Sequence, residues 1–164
     1  LNRLTSFLLN AGLASLDGLL LYVYDRNDHK NMSLRNEALH SFADMRLKHH
    51  DGYWTVENSE GIHGYGALLY LIAMQICGAI ASDNDATTSL AAQDLWNKFY
   101  NDPRIEHTMI PDRDIPTWLE ESANYNDDDS YIEATQYAYS LKQPIIPQSD
   151  IDDAIDRMKK RVLR

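Results

Sequence analysis

The sequence predicts an all-α protein: a single-domain bundle of six or seven helices packed around a buried central helix at about residues 62–81. Three observations carry that expectation. The stretch IHGYGALLYLIAMQICGAIA contains one strongly polar side chain after Tyr65, namely Gln75, and its apolar residues occupy every helical face. Such a helix is surrounded by other elements, whereas a surface helix shows one apolar stripe. Several flanking segments carry apolar residues at helical spacing with capping signals at their starts. No strand alternation of useful length stands out between them.

Taken in order, Leu4, Phe7, Leu8, Ala11 and Ala14 recur at helical spacing and predict a first helix over 4–24, weakened by Gly12 and Gly18. DRNDHKN reads as a loop. Ser33 is placed to cap a second helix running to about His50, with Leu34, Ala38, Phe42 and Met45 inward. HDGYWTVENSEG reads as an irregular connection into the central helix. Beyond Ala81, the caps in SDNDATT introduce a helix to about Tyr100 with Ala92, Leu95, Trp96 and Phe99 on one face. Residues 101–116 hold three prolines and no periodicity, which predicts a long loop. A short helix is expected over 117–123. Ser130 and Glu133 form a capping box for a helix to about Lys142, stopped by Pro144. Ser149 is expected to cap a last helix whose acidic residues lead and whose basic residues trail, as the helix dipole favours.

At 164 residues the chain reads as one domain, whether whole or part of a larger helical protein. Its net charge of -10 is concentrated in residues 83–148, which hold 4 basic and 13 acidic side chains. That balance repels phosphate backbones, so duplex nucleic acid is not expected as a partner and a basic protein surface is. Cys77 stands alone, so no intramolecular disulfide is available. The central stretch contains His63 and Gln75 and has no flanking Lys or Arg, so neither a membrane span nor a membrane partner is expected. A soluble, cytoplasmic protein is the expectation; oligomeric state is left open.

Two functional expectations from different classes follow. The first is an acidic helical protein-binding module, comparable to an immunity protein, antitoxin or adaptor. It would dock a basic partner through Asp112, Asp114, Glu120, Glu121, Asp127, Asp128 and Asp129, and it needs no cofactor. The second is a small helical hydrolase using the reactive groups between His49 and His63. His50, Glu57, Glu60 and His63 are its candidate acid and base residues, and His49, His50, Asp51 and His63 are candidate ligands for a divalent metal. No Gly-rich phosphate loop, paired CxxC or nucleophile elbow is read in the chain.

A variant of the enzyme reading comes from RNEALH, Arg35 to His40, which resembles the R-x4-H signature of HEPN ribonucleases. The resemblance covers those six residues alone. It implies metal-free RNA cleavage in which Arg35 stabilises the scissile phosphate, His40 assists proton transfer and Asn36 supports the geometry.

Overall fold

The computed structural model describes residues 16–62, 64–85, 88–120 and 129–163. It overturns the all-α expectation. The chain builds a seven-stranded mixed sheet in the order β1-β2-β3-β4-β5-β7-β6, flanked by helices.

The first half is an antiparallel meander: β1 (Leu19–Arg26), β2 (His29–Asn36), β3 (Ser41–His50) and β4 (Tyr53–Gly61). Its turns explain why a helix does not form there. Asn27 takes φ 56° between β1 and β2, and Gly52 takes φ 88° in the Asp51-Gly52 turn between β3 and β4. Asn and Gly tolerate this left-handed conformation, and a two-residue Asp-Gly link is a strong hairpin former. Between the turns, Ala43, Met45 and Leu47 alternate inward with exposed or half-exposed Asp44, Arg46 and Lys48. That strand period places the polar set on the opposite face of the sheet. The helix expected from Ser33 to His50 is therefore a hairpin. Ser33 itself is buried within β2 and accepts a hydrogen bond from Arg35 Nε at 3.0 Å.

A buried helix does occupy the centre of the apolar stretch. α1 (Tyr65–Cys77) is shorter than expected and buries every residue from Ala67 to Met74. Its polar Gln75 is satisfied by reciprocal bonds with the backbone of Ile146, 2.6 Å as donor and 3.3 Å as acceptor. α1 packs on β2, β3, β4, β5 and β7, so its surroundings are mainly sheet. After Gly78 the chain turns into β5 (Ile80–Ser82), which runs parallel to β4.

α2 (Leu90–Asn101) begins beyond the caps expected in SDNDATT: its N-cap is Ser89, whose Oγ accepts from Ala92 N–H at 3.2 Å. Its Trp96 and Phe99 pack with Tyr70 of α1 in an aromatic core. The loop expected over 101–116 contains β6 (Ile105–Met109), which pairs with β7 (Tyr137–Leu141). Two short helices, α3 (Thr117–Glu120) and α4 (Asp129–Ala134), stand between them in sequence. The helix expected to continue to Lys142 thus ends at Ala134, and buried Tyr139 of β7 joins the aromatic core instead. α5 (Gln148–Val162) packs on β1 and buries Ile151, Ala154 and Met158; its N-cap is Pro147 rather than Ser149.

Candidate functional site

The sheet changes character at β4 and β5. These two strands pair over only three positions, Trp54 with Ile80, Thr55 with Ala81 and Val56 with Ser82. At the next residue β4 bulges. On β3, Leu47 opposes Val56 while the adjacent Arg46 opposes Asn58, so Glu57 is an extra residue with no partner across the ladder. A bulge bends its strand and redirects its side chain. Beyond Glu57, β4 stays with β3 as far as Gly61 but no described strand pairs its other edge. Alternate residues there direct N–H and C=O groups into the gap, as antiparallel geometry requires.

α1 begins where this open edge ends. Gly64 caps it at φ 88° without a side-chain bond, and Leu68 N–H makes a return bond to Gly64 O at 3.2 Å. The N–H groups of Gly66 and Ala67 precede that bond and have no intrahelical acceptor. Gly61 and Gly66 touch so closely that a Cβ on Gly61 would lie 2.4 Å from Gly66 Cα. Glycine at 61 is what lets the strand run into the helix this tightly, whereas a Cβ at 66 would make ordinary contacts of 3.5 Å or more.

A groove of about 250 Å³ lies between this turn, the outer end of β4 and the start of α2. Gly61, Gly64, Gly66, Ser59, Ser89 and Ala92 are among its walls. Two helix N-termini therefore converge on one groove, and each favours negative charge. The groove continues into the fork between β4 and β5, a space of about 180 Å³ lined in part by Val56, Asn58, Tyr70 and Trp96. Tyr70 is held there by a 2.7 Å hydrogen bond to Ser59 Oγ.

Glu57 and Asp83 line both the fork and a third compartment of about 400 Å³. This cavity lies over the hairpin end of β3 and β4, with Lys48, His50, Thr55, Arg113 and Asp114 in its walls. Arg113 fixes the surrounding loops by donating to the carbonyls of Thr135, at 2.7 Å, and Ser82. Asn84 adds donor bonds to Asp114 O and Thr135 O, each 3.2 Å. His50 stacks on Tyr53 and lies 3.0 Å from Thr55 Oγ1. Burial, then the nearby cations Lys48 and Arg113, push the His50 pKa below its usual 6.5, against the opposing pull of Asp83. His50 is thus a neutral imidazole at neutral pH and a proton acceptor on the cavity wall.

Of the residues singled out from the sequence, His50 and Glu57 come together in this cavity. His49 points elsewhere and packs on Trp54, with ring centroids 4.8 Å apart. Asp51 sits in the exposed hairpin turn, and Glu60 lies in the outer stretch of β4 opposite Asp44. His63 lies outside the described residues. Among the described residues no three His, Cys, Asp or Glu are grouped to hold a metal ion. Arg35 belongs to β2 and His40 to the β2–β3 turn, so the R-x4-H stretch is not helical. Arg35 lies over the Tyr22 ring, 5.8 Å from its centroid, and His40 is exposed with its N–H bonded to Asn36 Oδ1.

The acidic set is only partly gathered. Asp114 lines the cavity, Asp112 is exposed on the adjoining loop, and Glu120 and Asp129 belong to α3 and α4. Glu121, Asp127 and Asp128 lie outside the described residues. Sequence reasoning missed the glycine turn, although its signal is present as Gly61-x-x-Gly64-x-Gly66 at a strand-to-helix junction.

No known protein family, curated protein or solved structure matches the chain. No helix among the described residues is long and apolar enough to cross a membrane.

Proposed function

We propose that the protein is an acyltransferase that uses a pantetheine-type thioester, such as an acyl-coenzyme A, and transfers its acyl group to a cationic amine. The observation that carries this reading is the continuity of three unlike surfaces: the glycine turn with its helix N-termini, the open edge of β4, and the Glu57 fork. From Glu57 to Gly61 an extended strand spans roughly 13 Å. A ligand that fits must be long and thin, with a diphosphate at one end, backbone-like amides along its length and a reactive group at the other end. Coenzyme A has that order of parts: a diphosphate, two amides and a thiol.

The residues present fit such a group. Gly66 and Ala67 offer N–H donors to phosphate oxygens at a helix N-terminus. The unpaired edge of β4 can bind amides as an added strand would. A bound acyl thioester supplies an activated carbonyl. On the other side of the fork, Glu57, Asp83, Asp85 and Asp114 outnumber Lys48 and Arg113 and favour a positively charged acceptor, while neutral His50 does not repel it. Glu57 stands at the junction and takes one proton from the acceptor's ammonium, freeing the nitrogen lone pair that attacks the acyl carbon. The carbon–sulfur bond breaks, the departing thiolate takes the second proton that the nitrogen loses, and Glu57 returns its proton to water.

The test is incubation of the purified protein with acetyl-coenzyme A and a panel of primary amines, followed by thiol release and by mass spectrometry of the acceptor. Amine-dependent thiol release with a 42 Da gain on the acceptor is expected from the replacement of one hydrogen by acetyl, a mass change of about 42 Da on general stoichiometry. Thiol release no faster than the spontaneous rate across the panel would overturn the reading.

Docking of a basic protein partner through the acids of residues 83–148 is a second proposal. It is favoured by the joint presence of Asp83, Asp85 and Asp114 at one cavity. Reversing Asp112, Asp114, Glu120 and Glu121 should abolish capture of such a partner, and unchanged affinity would remove this reading.

A further inference from the structure

We infer that His29 is a positioning residue for Glu57, a two-sided clamp that aims the base at the fork. The inference rests on the transferase reading above. His29 opens β2 directly after the Asn27-Asp28 turn. Its Nδ1 lies 2.8 Å from Asp28 Oδ1, and its Nε2 lies 2.8 Å from Glu57 Oε1. Ionised carboxylates only accept hydrogen bonds, and a neutral imidazole has only one donor. Both contacts therefore require a proton on each ring nitrogen, or one on a carboxyl group. An imidazolium between two carboxylates makes both bonds charge-assisted.

The clamp reaches the one residue of β4 that the bulge releases from the ladder. Glu57 Oε1 is engaged by His29, leaving Oε2 for the proton of an acceptor. The charged groups around His29 come from every neighbouring strand. Arg26 is its partner on β1, and Lys48 is its partner on β3. Arg46 of β3 places Nε 3.9 Å from the same Glu57 oxygen. The imidazole is largely shielded, with 24% side-chain exposure, whereas Asp28 is 55% exposed. Asp28 thus anchors the outer side of a ring whose inner side holds the base. Without the His29 ring, Glu57 keeps the looser approach of Arg46 among its ion-pair contacts with the described residues.

The test compares wild type with His29→Ala and His29→Gln in the acyl-transfer assay, reading kcat and KM separately beside thermal melts. Ala leaves Glu57 without its clamp, so kcat should fall by about tenfold or more with KM for the thioester unchanged. The Gln amide can still donate to one carboxylate and should restore part of kcat. A residue that merely supported the fold would lower stability without splitting kcat from KM in this way. A second readout needs no activity: nitrogen-15 NMR of the wild-type imidazole at about pH 6 should show two protected N–H groups on His29, and Glu57→Ala should remove the Nε2 resonance. An unchanged kcat in a folded His29→Ala protein, or a single ring N–H in wild type, would overturn the clamp. If no amine is acylated, the transferase reading fails alone: both N–H signals still support the clamp, and their absence still refutes it.

Discussion

Replacing Gly61 by alanine separates the groove's geometry from general glycine effects. Gly61 is not among the positive-φ residues, so alanine meets no backbone strain there. The obstacle is contact: the new Cβ would stand 2.4 Å from Gly66 Cα and 2.5 Å from Gly66 N, where real Cβ contacts essentially never fall under 3.0 Å. The start of α1 must therefore retreat by at least 3.0 − 2.4 = 0.6 Å, and backbone cannot rotate aside as a side chain would. Overpacking of this kind costs about 1–3 kcal/mol. In a domain of this size that corresponds to a melting temperature lower by roughly 2–12 °C. Because the displaced atoms carry the N–H groups proposed to bind phosphate, coenzyme A affinity should fall by about tenfold or more, equivalent to about 1.4 kcal/mol. Gly78→Ala is the control. Gly78 has φ 91° and open space around its added Cβ, so strain lowers stability but the groove, remote from it, keeps its affinity. Thermal melts and calorimetric titration with coenzyme A read both quantities. A Gly61→Ala protein that melts and binds like wild type would refute the assignment of the glycine turn.

Three further outcomes are expected. Glu57→Gln should reduce kcat by about 10²- to 10⁴-fold with little change in KM for the thioester, the range for loss of a general base; steady-state kinetics decides it. His50 has a folded pKa below its usual 6.5, so folding expels its proton and acid favours the unfolded chain; stability should fall as pH drops from above 6.5 toward the folded value. His50→Gln should flatten that fall in urea melts at a series of pH values, and an equally steep fall would show that another group is responsible. Arg113→Gln removes charge-assisted bonds to the carbonyls of Thr135 and Ser82 and should destabilise by about 2–3 kcal/mol in denaturant titration.

Parts of the helices were legible and the sheet was not. α2 and α5 carry regular apolar spacing, although their N-caps, Ser89 and Pro147, are not the residues expected. β3 misled because Leu34, Ala38, Phe42 and Met45 mimic a helical stripe, whereas its Ala43, Met45 and Leu47 alternate at the strand period. The Asp51-Gly52 turn decides between those patterns, since a left-handed Gly favours a hairpin over a continuing helix. β7 was hidden for a related reason: Tyr137 and Tyr139 suit a strand packed on α2, and the Ser130 and Glu133 capping signal specifies only the helix start. At the site, the density of reactive groups near His50 and Glu57 was visible in the sequence. Their separation from His49 was not, because neighbouring strand residues point to opposite faces. Nor could sequence show the bulge at Glu57, which exists only through the register with β3.

The most direct measurement is an amide NMR titration of the nitrogen-15-labelled protein with coenzyme A. Occupation of the groove predicts shifts concentrated at Ser59, Gly61, Gly64, Gly66, Ala67 and Ser89, with those of the cavity loop around Asp114 smaller. Saturable shifts at those amides would support the path from glycine turn to fork. An unchanged spectrum at saturating coenzyme A, or shifts confined to another surface, would contradict it.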